Sequence, residues 1–358
     1  MTAHLATTYR RIDHRDHTAF LTTATVAGVS SVLATGNVVL APRAVGVCRS
    51  DLREISGIRF GRRDFGHEII GSILDCTPAL ANLRGRTVVF DPHPKLAHRT
   101  SGFAELVELT GDSNQLRAAL VPVPAGLPDR VAVFAEPLAC AVHCATRLHT
   151  ATADLALSPE TTIAVFGAGM AGTLISTVLT ATGHRSVLLN PSSPRIEFLR
   201  SRRAMPSGVL DSHQHCPPFQ RIVVATAAAT PQVLATCLDM LADDGLLLIF
   251  AGTRPGDRLD TIDIDRLRRT EDLHELSRSS GRYHLAGSHG ATRADFHTAL
   301  KLLQQAPDAG WSPSLCVERL TTQVLGLDAA ADYLTANAAR GGLGKTIVQI
   351  RPPIPPES

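Results

Sequence analysis

From about Thr161 the chain settles into a rhythm of short, unbroken apolar runs separated by helix-length segments of mixed polarity. Apolar runs of that length, flanked by turn residues and alternating with helical patterns, predict parallel strands joined by crossover helices. The spacing predicts strands over 162–167, 186–190, 221–226 and 245–251, with helices over 171–182, 195–203 and 231–242 between and after them. A last strand is expected near 283–288, followed by a helix over 295–305 and a closing strand over 346–350. Before Thr150 the texture differs. Val, Thr, Gly and Pro are frequent and the apolar runs are brief, as in Asn37-Val38-Val39-Leu40 and Thr87-Val88-Val89-Phe90, which predicts a strand-rich domain with many turns.

The 358 residues are enough for two domains, each with its own core. The boundaries expected are 1–150 for a β-rich domain, 151–288 for a domain of parallel βαβ units, and 289–358 for a return to the first. A net charge of +2 gives no electrostatic reason to expect nucleic acid. No run approaches the roughly 18 apolar residues of a membrane span, so no membrane association is expected. Met1-Thr2-Ala3-His4-Leu5 lacks the basic segment and apolar stretch of a secretory leader. Seven cysteines without a Cys-x-x-Cys pair suit reduced thiols and a cytoplasmic location.

Two groups of residues carry chemistry. Cys48, His67, Glu68 and Glu136 offer one thiolate, one imidazole and two carboxylates, a donor set suited to a catalytic zinc with an open position. Later, the apolar run ending at Phe166 leads directly into Gly167-Ala168-Gly169-Met170-Ala171-Gly172. A Gly-x-Gly-x-x-Gly turn between a strand and a helix allows a tight bend, close backbone approach to a pyrophosphate and close helix packing. At the end of the next strand stands Asn190, where NAD-binding chains usually place an acid. Without that negative charge a 2′-phosphate is tolerated, and Arg195 could pair with it, so the balance leans slightly to NADP over NAD. Thr226, at the end of the third strand, is the remaining expected cofactor contact. His93, His98 and His143 read as ordinary surface or core histidines. Cys140 and Cys144 read as small buried residues on a helix.

Gly46-Val47-Cys48-Arg49-Ser50-Asp51-Leu52, Phe65-Gly66-His67-Glu68, Glu136-Pro137 and the glycine turn, in that order, resemble the medium-chain dehydrogenase/reductase superfamily in its zinc-dependent alcohol and polyol branch. Ala286-Gly287-Ser288 and Gly344-Lys345-Thr346 are similar too, and the extreme N-terminus matches least. The resemblance implies an α/β chain with a GroES-like β-rich catalytic domain and a Rossmann domain of doubly wound parallel sheet. It implies zinc on Cys48, His67 and Glu136, with Glu68 either a fourth, exchanging ligand or the holder of a metal-bound water. Ser50 would pass the substrate's proton outward, and Asp51 would orient His67. Relatives often continue that relay with a histidine where this chain has Arg53, whose guanidinium cannot carry protons.

The cysteine-rich lobe that holds a second, structural zinc in many relatives has no counterpart between Phe90 and Ala104, so one zinc per chain is expected. The implied reaction moves a hydride between NAD(P) and a secondary alcohol or ketone. The substrate would be a polyol, a sugar or an (amino)cyclitol, the last pointing to specialised biosynthesis, with loops such as 55–64 shaping its pocket. A homodimer or homotetramer is expected. Two other readings stay open: a zinc-free quinone or enoyl reductase of the same fold, and a non-catalytic dinucleotide-binding protein.

Overall fold

The computed structural model describes residues 7–26, 36–58, 65–210, 218–339 and 342–351. Internal contacts divide the chain into two units, Met1–Glu136 with Thr321–Ser358, and Pro137–Leu320.

In the first unit the strand Gly36–Gly46 is the spine. It is buried over nearly its whole length because it has neighbours on each side: Glu68–Cys76 along its length, Val107–Gly111 against its first half and Lys345–Gln349 against its end. The sheet continues outward through Thr87–Phe90 to Leu120–Pro122 on one side and ends at Thr321–Gly326 on the other. A separate antiparallel hairpin, Thr7–Arg15 with Thr18–Val26, turns at Asp16 and His17, both with positive φ (49° and 64°). Its inward residues Tyr9, Ile12, Ala19 and Val26 join the same core as Val38, Leu40, Ile69 and Phe103.

The second unit is built on a six-stranded sheet in the order Ser186–Leu189, Ile163–Phe166, Phe219–Val224, Leu241–Ile249, Gly281–Gly287, Leu273–Arg278. The first five are parallel and only the last pair is antiparallel. One face of the sheet, with Ala164, Phe166, Ile222, Val224, Leu247 and Ile249, packs with the helices Pro231–Asp239 and Ile264–Thr270. The intervening Val165, Val223 and Leu248 are just as buried, which is why these strands read as unbroken apolar runs. From Ile163–Phe166 the chain crosses first to one neighbour and then to the other, so the strand order reverses there. This is a doubly wound Rossmann sheet, and ligands of such sheets bind outside the strand ends at the reversal.

The expected elements lie within a few residues of those observed, but the unit boundaries differ from the expected 150/151 and 288/289. The helices Arg293–Leu303 and Pro313–Leu320, expected to lie in the return to the first domain, both belong to the parallel-sheet unit. Cys316 Sγ lies 3.2 Å from Thr177 Oγ1, and Trp311 Nε1 donates to the Ala204 carbonyl at 2.9 Å, so these contacts tie the segment there. The return to the first unit begins only at Thr321.

Candidate functional site

The end of the spine strand and the start of its neighbour bring the first chemical group together. Gly46 pairs with Glu68, so Cys48, just past one strand, comes beside His67 and Glu68, at the start of the other. Their ligand atoms all lie within 4.8 Å of one another, and they are the one such group of three among the described residues. Glu136, in the first turn of the helix Ala135–Asp154, places Oε2 4.0 Å from His67 Nε2. It is the more distant member of the expected set.

The backbone around this group is fixed by Asp51, which is 1% exposed. Its Oδ2 accepts the Cys48 N–H at 2.8 Å and its Oδ1 accepts the Gly66 N–H at 2.9 Å. The carboxylate therefore ties together the two turns that carry Cys48 and His67. It stands 3.7 Å from His67 Nδ1, too far for a hydrogen bond but close enough for its charge to act.

Burial works against a protonated His67, yet Asp51, Cys48 and Glu136 outweigh it and hold its pKa well above the ordinary imidazole value. Burial also raises the Glu136 pKa, with His67 pulling it down and Glu68 pushing it up. Glu68 is ion-paired with Lys345, on the strand Lys345–Gln349, and both side chains are almost fully buried. Burial alone would discharge that lysine, but Glu68 and Cys48 hold its pKa above the usual value. Sequence reasoning missed this partner. The signal was a lysine at the same inward phase as Ile347, since a buried ammonium needs a buried carboxylate.

Ser50 Oγ is buried without a hydrogen-bond partner among the described residues. A buried hydroxyl left so is costly unless a ligand completes it. Behind the ligand turn, Arg99 is 7% exposed and donates to the Gly66 carbonyl at 3.1 Å and the Phe65 carbonyl at 3.3 Å, its guanidinium 5.2 Å from the Phe90 ring centre. His93, ordinary by its sequence context, is not so in the structure. Its Nδ1 lies 2.7 Å from Oδ1 of the buried Asp91, and its charge interacts with Glu136 and His67. Of the 55–64 loop, residues 59–64 lie outside the described part of the chain.

The second group lies at the strand reversal of the parallel sheet. Gly167 has φ 119°, and a Cβ there would come 2.8 Å from the backbone of Ala225 and Thr226. A Cβ on Gly172 would meet the Gly167 carbonyl oxygen at 1.8 Å. By contrast, a Cβ on Gly169 would meet nothing within 4 Å, so open space lies over the turn at the start of the helix Met170–Ala181. Glycines needed for the bend and for helix packing, with open space at the middle one, match what a bound pyrophosphate requires. Ala168 donates its N–H to Asn190 Oδ1 at 3.0 Å, and Asn190 Nδ2 donates to the Ser192 carbonyl at 2.7 Å. Asn190 thus braces the turn. Arg195 is half-buried in the helix Ser193–Ser201, and Thr226 donates its hydroxyl to the Ala228 carbonyl at 2.8 Å.

Solved structures share this fold. L-idonate 5-dehydrogenase of Escherichia coli K-12 superposes with a TM-score of 0.68 at 18% identity, covering 96% of this chain and 98% of its own. Galactitol-1-phosphate dehydrogenase of Escherichia coli gives 0.69 at 17%, with 95% and 99% covered. An alcohol dehydrogenase of Escherichia coli CFT073, complexed with NADH, gives 0.69 at 16%, with 96% and 99% covered. The chain has the fold of these dehydrogenases. No protein-family model matches it. Within that fold the first unit is the GroES-like part and the second the Rossmann part. Cys48, His67, Glu68, Glu136, Ser50 and Asp51 all fall in the GroES-like unit, and the glycine turn, Asn190, Arg195 and Thr226 in the Rossmann unit. Among the described residues no helix is long and apolar enough to cross a membrane.

Proposed function

We propose that the chain is a zinc-dependent dehydrogenase that moves a hydride between NAD(P) and a secondary alcohol or its ketone, on a polyol, sugar or cyclitol. The observation that carries the reading is the convergence of Cys48, His67 and Glu68, with Glu136 beside His67, in a chain that also has the braced glycine turn. A thiolate, an imidazole and carboxylates are zinc donors, and the raised pKa of His67 reflects a site that favours positive charge. Cys48, His67 and Glu136 would hold the metal, with Glu68 exchanging between it and Lys345. When bound, zinc supplies a Lewis acid that lowers the pKa of an alcohol and steadies negative charge on its oxygen.

The chain's own residues do the rest. Ser50 Oγ would accept the hydrogen bond of the reacting hydroxyl and, on receiving its proton, pass its own hydroxyl proton outward, while Asp51 keeps the Cys48 and His67 turns in register. The N–H groups at the start of the helix Met170–Ala181 would hold the pyrophosphate, and the nicotinamide of that nucleotide would supply or accept the hydride. Asn190 is neutral, and Arg195 lies in the helix that follows it, which favours NADP over NAD. Assembly as a homodimer or homotetramer accompanies this reading.

Metal analysis of the protein purified without added metal, together with its Cys48→Ala variant, tests the proposal. About one zinc per chain, lost in the variant along with turnover of polyols by NADP or NAD, is the expected result. Full activity after complete chelation would transfer the chain to the zinc-free reductases.

A further inference from the structure

His93 is built into the edge of the candidate site in a way that its sequence context did not reveal. The antiparallel register pairs Ile70 with Val89, so the segment after Phe90 leaves the sheet at the end where the neighbouring strand Glu68–Cys76 begins. Arg99 and Gly102, further along, bond to the Phe65 and Gly66 backbone and hold the segment against that turn. Asp91 is 3% exposed, and its Oδ1 accepts both the His93 backbone N–H at 3.0 Å and the ring Nδ1–H at 2.7 Å. A buried carboxylate that holds backbone and ring together fixes both the orientation and the tautomer of the imidazole. The His93 side chain is 30% exposed, and among the described residues its Nε2 has no hydrogen-bond partner. Its charge interacts with those of Glu136 and His67, in keeping with the bonds that hold this segment against the Phe65–Gly66 turn. It is not a member of the ligand group itself.

A fixed imidazole with one open nitrogen, within electrostatic reach of Glu136 and His67, has a definite use. We propose that His93 is a specificity-determining residue whose Nε2 hydrogen-bonds a second hydroxyl, on the carbon next to the reacting one, so that the enzyme selects vicinal diols over simple alcohols. The inference rests on the dehydrogenase reading above and names its substrate class. A hydroxyl both donates and accepts, so it satisfies Nε2 in either protonation state of the ring. A substrate without that hydroxyl leaves Nε2 facing an apolar group, and sites built to bond a hydroxyl reject analogues that lack it.

The test compares 2,3-butanediol with 2-butanol as substrates for the wild type, His93→Phe and Asp91→Asn, with zinc content measured on each protein. The wild type is expected to favour the diol in kcat/KM by about tenfold or more. In His93→Phe the diol should lose about tenfold more than 2-butanol, chiefly through KM, with zinc still bound, and Asp91→Asn should show a smaller loss of the same kind. A wild type without diol preference, a preference unchanged in His93→Phe, or loss of zinc from that variant would each overturn the assignment; the last would make the imidazole a ligand. Should the wild type oxidise neither alcohol, the dehydrogenase reading fails by itself. Calorimetric binding of 2,3-butanediol to the zinc-loaded protein then decides the matter: binding that weakens in His93→Phe upholds the role of His93, and no binding ends it.

Discussion

Lys345 and Glu68 form an ion pair in which the two side chains are only 3% and 1% exposed. The strand Lys345–Gln349 is antiparallel to the end of Gly36–Gly46, so residues far apart in sequence meet beside the Cys48, His67 and Glu68 group. Removing one member of a buried pair leaves an uncompensated charge, at a cost of about 3–5 kcal/mol. Lys345→Met should therefore lower the unfolding free energy by that order, and Lys345→Met with Glu68→Gln should recover part of it. Denaturant titration of the three proteins measures this. A loss below about 1 kcal/mol in the single variant would mean that the pair contributes little.

Asp51 binds two backbone N–H groups with its two oxygens, one on each turn that carries a candidate ligand. Asp51→Asn keeps one acceptor and faces the other N–H with an amide donor. Zinc affinity should fall by about 10–100-fold, the usual effect of disturbing groups that hold ligands in place. Competition with a chelator reads the change directly. An affinity within twofold of wild type would show that the turns hold without the carboxylate.

The glycines of the dinucleotide turn should separate folding from binding. A methyl at position 172 collides with the Gly167 carbonyl, whereas one at position 169 enters open space. Gly172→Ala should be poorly folded. Gly169→Ala should melt close to wild type yet bind NADP at least tenfold more weakly, because its methyl occupies the room for the pyrophosphate. Fluorescence titration with NADPH and a melting curve distinguish the two. Equal binding by Gly169→Ala and wild type would remove the turn from the cofactor site.

His143 bonds to two carboxylates, with Nδ1 2.9 Å from Asp295 and Nε2 2.8 Å from Glu271. Those bonds, with Asp295 the larger influence, raise its pKa from 6.5 to about 9 against the opposing effect of burial. A histidine whose folded pKa is raised contributes its full stability below its unfolded pKa, and that contribution is lost as pH rises through the folded one. The contribution, about 2 kcal/mol once solvent screening is allowed for, should disappear between pH 6.5 and about 9. In His143→Gln the fall in melting temperature over that interval should be distinctly shallower. Parallel curves for the two proteins would exclude the clamp.

The parallel-sheet unit was legible because its strands are buried on both faces and so read as apolar runs, while the glycine turn sits at a fixed place after the first of them. The cluster of Cys48, His67 and Glu68 was legible as a set of residue types, although only the pairing of Gly46 with Glu68 explains why they meet. Other elements left little trace. Leu273–Arg278 is an edge strand with most of its residues exposed, so it shows no apolar run. The first hairpin turns on Asp16 and His17, without the glycine that usually marks positive φ. The partners of Lys345, Asp91 and Arg99 are set by sheet register and by long-range contacts, which local patterns do not encode.

Arg99 has a consequence beyond geometry. The turn that presents His67 and Glu68 is propped from behind by a guanidinium bonded to two carbonyls and lying over an aromatic ring. That prop is part of the polypeptide and remains whether or not an ion is available. On the proposed function, the turn would keep its shape without the ion, so zinc returned to the stripped protein would restore turnover without refolding.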